Sequence, residues 1–149
     1  MFVNIIRKRS NKVLNVVERG AVRSFVNAID DVHPIYIDEE VGRRSRYGQN
    51  ICPPTFPCIF DYGDFSDVHL PNIGLIHGEQ TYHYNRPIRI GESIYCWKEV
   101  KGYKEKSGKS GTMGFLTIEE IGEDKESNKI FRAEKVIIIT ESVRRELIK

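Results

Sequence analysis

The chain has 149 residues, enough for one domain built on a single core, and 40% of them are hydrophobic, 30% charged and 10% aromatic, a globular composition. A formal net charge of +2 is too small to support a nucleic-acid binder, and no apolar run is long enough to span a membrane. The opening "MFVNIIRKRSNK" sets a short apolar patch before charge and has no small-residue cleavage site, which does not fit a secretory signal, so a cytoplasmic location is expected.

In chain order, "KVLNVV" reads as a short strand. The next segment, "VERGAVRSFVNAID", carries Val22, Phe25, Val26 and Ile29 at i, i+3, i+4 and i+7, one apolar helical stripe, with Arg19, Arg23 and Asn27 on the other face. This helix should stop near Asp30 and Asp31, ahead of Pro34. A second helix is expected from "PPTFPCIFDYGDF", with Pro54 in its first turn and Phe56, Ile59, Phe60 and Gly63 on one face. Its apolar character predicts burial, and Gly63 would let a strand approach closely. Cys52, Cys58 and Cys96 make no even framework, and the "CPPTFPC" spacing does not suit a zinc knuckle. Buried or half-buried free thiols are expected, and no metal site.

From residue 74 onward the period changes to two. "GLIHGEQTYHYNRPI", "ESIYCWKEVKGYKEK", "GTMGFLTIEEIGE" and "NKIFRAEKVIIITE" read as four long strands, joined by the turn-like "RIGE", "KSGKSG" and "GEDKESN". Short links imply antiparallel neighbours. The tail "SVRRELIK" reads as a terminal helical turn. One apolar helix must be covered, and a curved antiparallel sheet wrapped around it would bury it. The expected class is therefore α+β, a single hot-dog domain over residues 1–149 with a buried central helix, its sheet edge covered by a side-by-side partner.

Two stretches carry a resemblance. "VERGAVRSFVNAIDDVHPIYIDEEVGRRSRYGQNICPPTFP" and "GLIHGEQTYHYNRPIRIGESI" resemble the N-terminal, dehydratase-like half of MaoC-type hydratases and the matching small subunits of bacterial (R)-3-hydroxyacyl dehydratases, over about residues 13–140. The resemblance implies a hot-dog fold, dimer assembly, and thioesters of coenzyme A or acyl carrier protein as ligands. Competent relatives carry Gly-Asp-x-Asn-Pro-x-His. Here that pattern becomes Asp30-Asp31-Val32-His33-Pro34-Ile35-Tyr36, so Asp31 matches the catalytic Asp, His33 replaces the Asn, and Tyr36 stands in place of the His.

Hydration of an enoyl thioester needs a water, a base that takes its proton, a proton for Cα, and a donor on the thioester carbonyl. It needs no cofactor. Tyr36, titrating near ~10, is a poor base at neutral pH but a usable donor. His33 has the right acidity for a base, in a different register. Set against this chemistry, Asp31 closes the helix end and His33 is a loop histidine. The family places its carbonyl donor at the start of the buried helix, here around Thr55 and Phe56, because Pro53 and Pro54 have no N–H. Arg43, Arg44 and Arg46 in "GRRSRYG" would suit a coenzyme or phosphopantetheine phosphate, or form a solvated basic loop.

The resemblance favours a subunit with a degraded motif, shaping an acyl tunnel and needing a partner hot-dog subunit with an intact Asp/His pair. A homodimer or a heterodimer would satisfy it. Two alternatives stand beside this reading: an acyl-CoA thioesterase using Asp61 or Asp64, and a non-catalytic acyl-thioester binder. Other residues read as structural: Tyr47–Gly48 as a turn, His77 on a sheet face, Arg86 and Pro87 at a strand end, and Tyr82 and Tyr84 as core packing.

Overall fold

A computed structural model of the chain describes residues 2–148 apart from Asp67, His69, Asn72 and Ser110. Strand β1 (Val13–Val16) leads into helix α1 (Arg19–Ala28), two short helices α2 (Pro34–Ile37) and α3 (Glu39–Arg44), and one 3-10 turn at Phe56–Ile59. Four long strands follow: β2 (Leu75–Tyr84), β3 (Ser93–Gly108), β4 (Gly111–Glu123) and β5 (Lys129–Ile139), then α4 (Glu141–Ile148). The five strands form one antiparallel sheet in the order β1-β3-β4-β5-β2. The expectation that chain neighbours pair fails at one link. β2 and β3 do not pair, because residues 85–92 carry the chain from one side of the sheet to the other, and β2 closes against β5 instead. Register shifts at His77/Glu79, Val100/Gly102 and Gly122/Glu123 bend the strands, since a bulge adds twist and curvature.

Helix α1 forms where the stripe predicts it. Val22 and Val26 are fully buried and Phe25 meets Phe56 edge-on, while Ile29, the fourth member, is 42% exposed. Burying each valine contributes about 1.5–3 kcal/mol. Asp30 ends the helix by adopting a left-handed backbone, φ 55°, and the Asp31 N–H reaches back to Val26 O at 3.0 Å.

The central helix is the main departure. From Pro54 onward the chain makes a single 3-10 turn, with Phe56 N–H donating to Pro53 O (3.0 Å) and Cys58 N–H to Thr55 O (3.1 Å). Pro57 has no N–H, Phe60 already turns extended with ψ 149°, and Gly63 further on is left-handed, φ 68°. The chain then crosses the concave face as an extended segment. It is held by β1 and the residues before it: Asn15 pairs with both N and O of Asp61 (2.9 and 2.8 Å), and Asn11 Oδ1 accepts from Asp64 N (2.9 Å). The expected close approach at Gly63 is present, since a Cβ there would meet Asn11 O. The thiols differ from expectation at one position: Cys52 and Cys96 are buried, but Cys58 is exposed.

Candidate functional site

The register of the sheet fixes what lies on its concave face. Tyr84 stands opposite Phe131, which stands opposite Gly122, which stands opposite Cys96; the next row is Tyr82, Ala133, Glu120 and Lys98. At the Tyr84 end, a cleft of about 340 Å³ opens between this face and the segment after α1. One wall is Tyr36 from α2 with Tyr47, Ile51, Cys52 and Pro54, and the other is Tyr84 with the crossing residues Asn85 to Ile88. The two walls are joined by backbone bonds, Cys52 N–H to Ile88 O (2.8 Å) and Ile90 N–H to Asn50 O (3.1 Å). A side-chain bond adds to them, Tyr84 OH donating to Pro54 O at 2.6 Å.

The fold divides the motif residues. Tyr36 lines the cleft, half-buried, and its phenol's pKa is raised above the ordinary value, by burial first and by the Asp31 charge second. It is thus protonated at neutral pH and able to donate. Asp31 and His33 are exposed and do not line the cleft. His33 is the N-cap of α2: its Nδ1 accepts from Ile35 N–H at 3.1 Å, and its ring centre stands 5.8 Å from that of Tyr36. That bond uses the nitrogen lone pair a base needs. Asp31 therefore influences the cleft through its charge on Tyr36 and contacts no other motif side chain there.

At the position where the resemblance puts the carbonyl donor, the chain forms the 3-10 turn. The Phe56 ring is buried and its N–H closes the turn on Pro53, while Thr55 is an exposed residue that makes no side-chain cap. The basic cluster also differs from a loop. Arg43 and Arg44 lie in the last turn of α3 and both pair with Glu40, and Arg46 stacks over Tyr47 at 4.9 Å and donates to its hydroxyl at 2.8 Å. Only Arg46 reaches the cleft, through Tyr47. Arg86, expected to serve structure, lines the cleft wall and holds Glu92 with two bonds of 3.1 and 2.9 Å, and Glu92 caps the Arg89 N–H at 2.8 Å. The thioesterase candidates are not on a helix. Asp61 Oδ1 accepts from Gly63 N–H in the crossing segment, and Asp64 borders a second cavity. Burial pushes the Cys52 thiol well up, so it lines the cleft as an apolar group.

The sequence did not single out two buried polar residues, Asn50 behind the cleft and Glu120 beyond it. Asn50, 2% exposed, donates to Ile35 O (2.8 Å) and Asp38 O (2.7 Å) and accepts from Arg19 (2.9 Å), tying α2, α3 and α1 together behind the cleft. Glu120, 3% exposed, stands in the middle of the concave face and pairs with Lys135 at 2.5 Å. Its signal was present, an acid at an inward position of an otherwise apolar strand. Among the described residues no group of three or more potential metal ligands occurs, and no helix is long and apolar enough to cross a membrane.

The FAS1-like dehydratase domain region matches residues 5–133 of this chain. A UPF0336 protein of Streptomyces griseus subsp. griseus is 33% identical over 98 residues, 62% of this chain and 65% of that protein, so the chain spans about two thirds of this relative's length. A UPF0336 protein of Saccharopolyspora erythraea is 31% identical over 108 residues, 68% of this chain and 67% of that protein. Among solved structures, the HadBC (3R-hydroxyacyl-ACP dehydratase) complex of Mycobacterium tuberculosis superposes with a TM-score of 0.75 at 18% identity, over 90% of this chain and 96% of that one. A MaoC-like dehydratase superposes at 0.78 and 16%, over 95% and 44%, and the ChsH1-ChsH2 complex of Mycobacterium tuberculosis at 0.73 and 18%, over 89% and 84%. At these identities the structural likeness is one of fold. The five-stranded antiparallel sheet is that of the hot-dog dehydratases and hydratases, and with residues 5–133 matched the chain belongs to the FAS1-like dehydratase domain family.

Proposed function

We propose that the chain is one subunit of a 3-hydroxyacyl-thioester dehydratase, equivalently an (R)-specific enoyl-thioester hydratase. It shapes the acyl-binding cleft and relies on a second hot-dog subunit for an intact Asp/His pair. The ligand is the thioester of coenzyme A or of acyl carrier protein. One observation carries this reading: of the three motif residues, only Tyr36 lines the cleft, and it is the one that cannot act as a base at neutral pH. His33 is engaged as a helix cap and Asp31 lies outside the lining. What remains on this chain is a recognition surface: a phenolic donor, a protonated thiol and the Tyr84 wall. Two of the solved relatives, HadBC and ChsH1-ChsH2, are complexes, which supports a partner. β2 is the outermost strand on its side among the described residues, and an open edge of that length is suited to a second sheet.

The test is a hydration assay. The purified chain alone should turn over crotonyl-CoA at close to the uncatalysed rate. Adding a hot-dog subunit with an intact Asp/His pair, encoded beside it, should bring activity. Strong hydration by the isolated chain that disappears in Asp31→Asn overturns the proposal.

A further inference from the structure

We infer that Tyr84 limits the length of the acyl chain the cleft accepts, a conclusion that rests on the thioester reading above. The cleft of about 340 Å³ has Tyr84 at its inner side, where the hydroxyl is tied to Pro54 O at 2.6 Å. Burial pushes that phenol's pKa well up, so the bond keeps its proton across the physiological range. The ring is backed on two sides. Tyr82 stacks on it with centres 6.4 Å apart, and Phe131 stands 5.8 Å away. Phe131 in turn meets Phe60 at 6.1 Å, and Phe60 meets Phe56 edge-on at 5.4 Å. This row of rings cannot sink toward the sheet, because Phe131 sits directly on Gly122, where a Cβ would collide with it.

A second cavity, of about 470 Å³, lies further along the same concave face. Its lining includes Phe65, Ile118 and Ile137 and the charged Lys98, Glu120 and Lys135, and it shares no lining residue with the cleft. The register places the Tyr84–Phe131 row between the two. A chain lying in the cleft beside Tyr36 and Cys52 therefore meets an aromatic wall after a few carbons. The space beyond it holds the charged Glu120–Lys135 pair beside Phe65, Ile118 and Ile137, a mixed surface rather than a hydrocarbon tunnel. In a tunnel for long chains, apolar surface would continue through this point.

The experiment is calorimetric titration of the full chain with butanoyl-, octanoyl- and dodecanoyl-CoA, saturated thioesters that cannot be hydrated. Each methylene newly buried from water is worth about fourfold in affinity. In the wild type, affinity should stay within about threefold across the series, because added carbons remain in solvent. Tyr84→Ala opens room lined by Phe60, Tyr82 and Phe131, and should raise the octanoyl-to-butanoyl affinity ratio by about tenfold or more. If that variant does not fold, the wild-type series decides. A wild-type affinity that rises by more than about tenfold from butanoyl to dodecanoyl overturns the inference. An unchanged ratio in folded Tyr84→Ala also overturns it. Failure of all three thioesters to bind would bring down the thioester reading itself.

Discussion

At position 33 the imidazole accepts the Ile35 N–H at 3.1 Å, Pro34 follows as the first helical residue, and α2 has only four residues. A cap of this kind contributes about 1 kcal/mol, and Asn supplies an equivalent acceptor while Ala supplies none. His33→Ala should therefore lower stability by about 1 kcal/mol in urea denaturation, and His33→Asn should restore most of it. A histidine retained for proton transfer would show no such rescue, and equal losses in both variants would remove the capping role. Asp38 caps α3 in the same way, accepting from Glu40 and Val41 N–H at 2.9 and 3.1 Å. Three motif residues and one just beyond them thus shape backbone: Asp30 by its left-handed φ, Asp31 by its N–H, His33 by its side chain, and Asp38 likewise. The acid-rich stretch looked like chemistry because acids and histidine serve both purposes. Asn50, which holds these helices in place, was not legible at all, because the carbonyls it binds, Ile35 and Asp38, lie 15 and 12 residues away in sequence and come near only through the fold.

Among the elements, the strands and α1 were legible because their periods match how they are buried. The inward residues of β4, from Gly114 through Leu116, Ile118 and Glu120 to Gly122, alternate as a half-buried strand requires. Pairing was less legible, since the short crossing at residues 85–92 suggests a hairpin but carries β2 away from β3. The expected central helix was misread for a physical reason. Apolar spacing in "PPTFPCIFDYGDF" is also satisfied by one 3-10 turn, with Phe56 and Pro57 buried and Tyr62 buried further on. The backbone groups such a helix would satisfy internally are met from outside by asparagines at positions 11 and 15. Asn15→Ala leaves the Asp61 N–H and C=O without those partners at a partly exposed site, a loss of about 1–2 kcal/mol. Native-state hydrogen exchange should show faster exchange at Asp61 and Gly63 in that variant, with the amides of β4 and β5 changed only by the global loss. Uniform acceleration across the sheet would mean that the segment is not held by Asn15.

On the scale of the whole molecule, the concave face changes character along its length. At the cleft end it is aromatic and apolar, with Val22, Val26, Phe56, Ile88 and Phe131 in one buried cluster. At the far end Val100, Leu116, Ile118 and Ile139 form a second cluster beneath α4. Between them stand Lys98 and Glu120 in one row and Lys135 in the next, at the place where a long apolar helix would have needed hydrocarbon. The missing helix and the polar groups are therefore two sides of one arrangement, in which an extended segment crosses a charged surface with Tyr62 buried and Phe65 under the Lys98 ammonium. Lys135 makes the shortest of the contacts that hold Glu120 here, beside Gln80 Nε2 at 3.5 Å and Lys98 opposite it in the sheet. Lys135 lies within 2.5 Å of it, with a side chain 29% exposed, so solvent screens part of the interaction. Lys135→Met removes the cation and leaves the carboxylate among Tyr62, Tyr82 and Cys58, which should cost about 2–3 kcal/mol, below the full cost of breaking a dry pair. The double variant Glu120→Leu with Lys135→Met exchanges the pair for apolar volume and should recover most of that loss. A thermodynamic cycle from urea denaturation of the wild type, the two single variants and the double variant reads the coupling directly. Additive losses would show that the face does not depend on the pair, and that the crossing segment alone decides how this end of the sheet is covered.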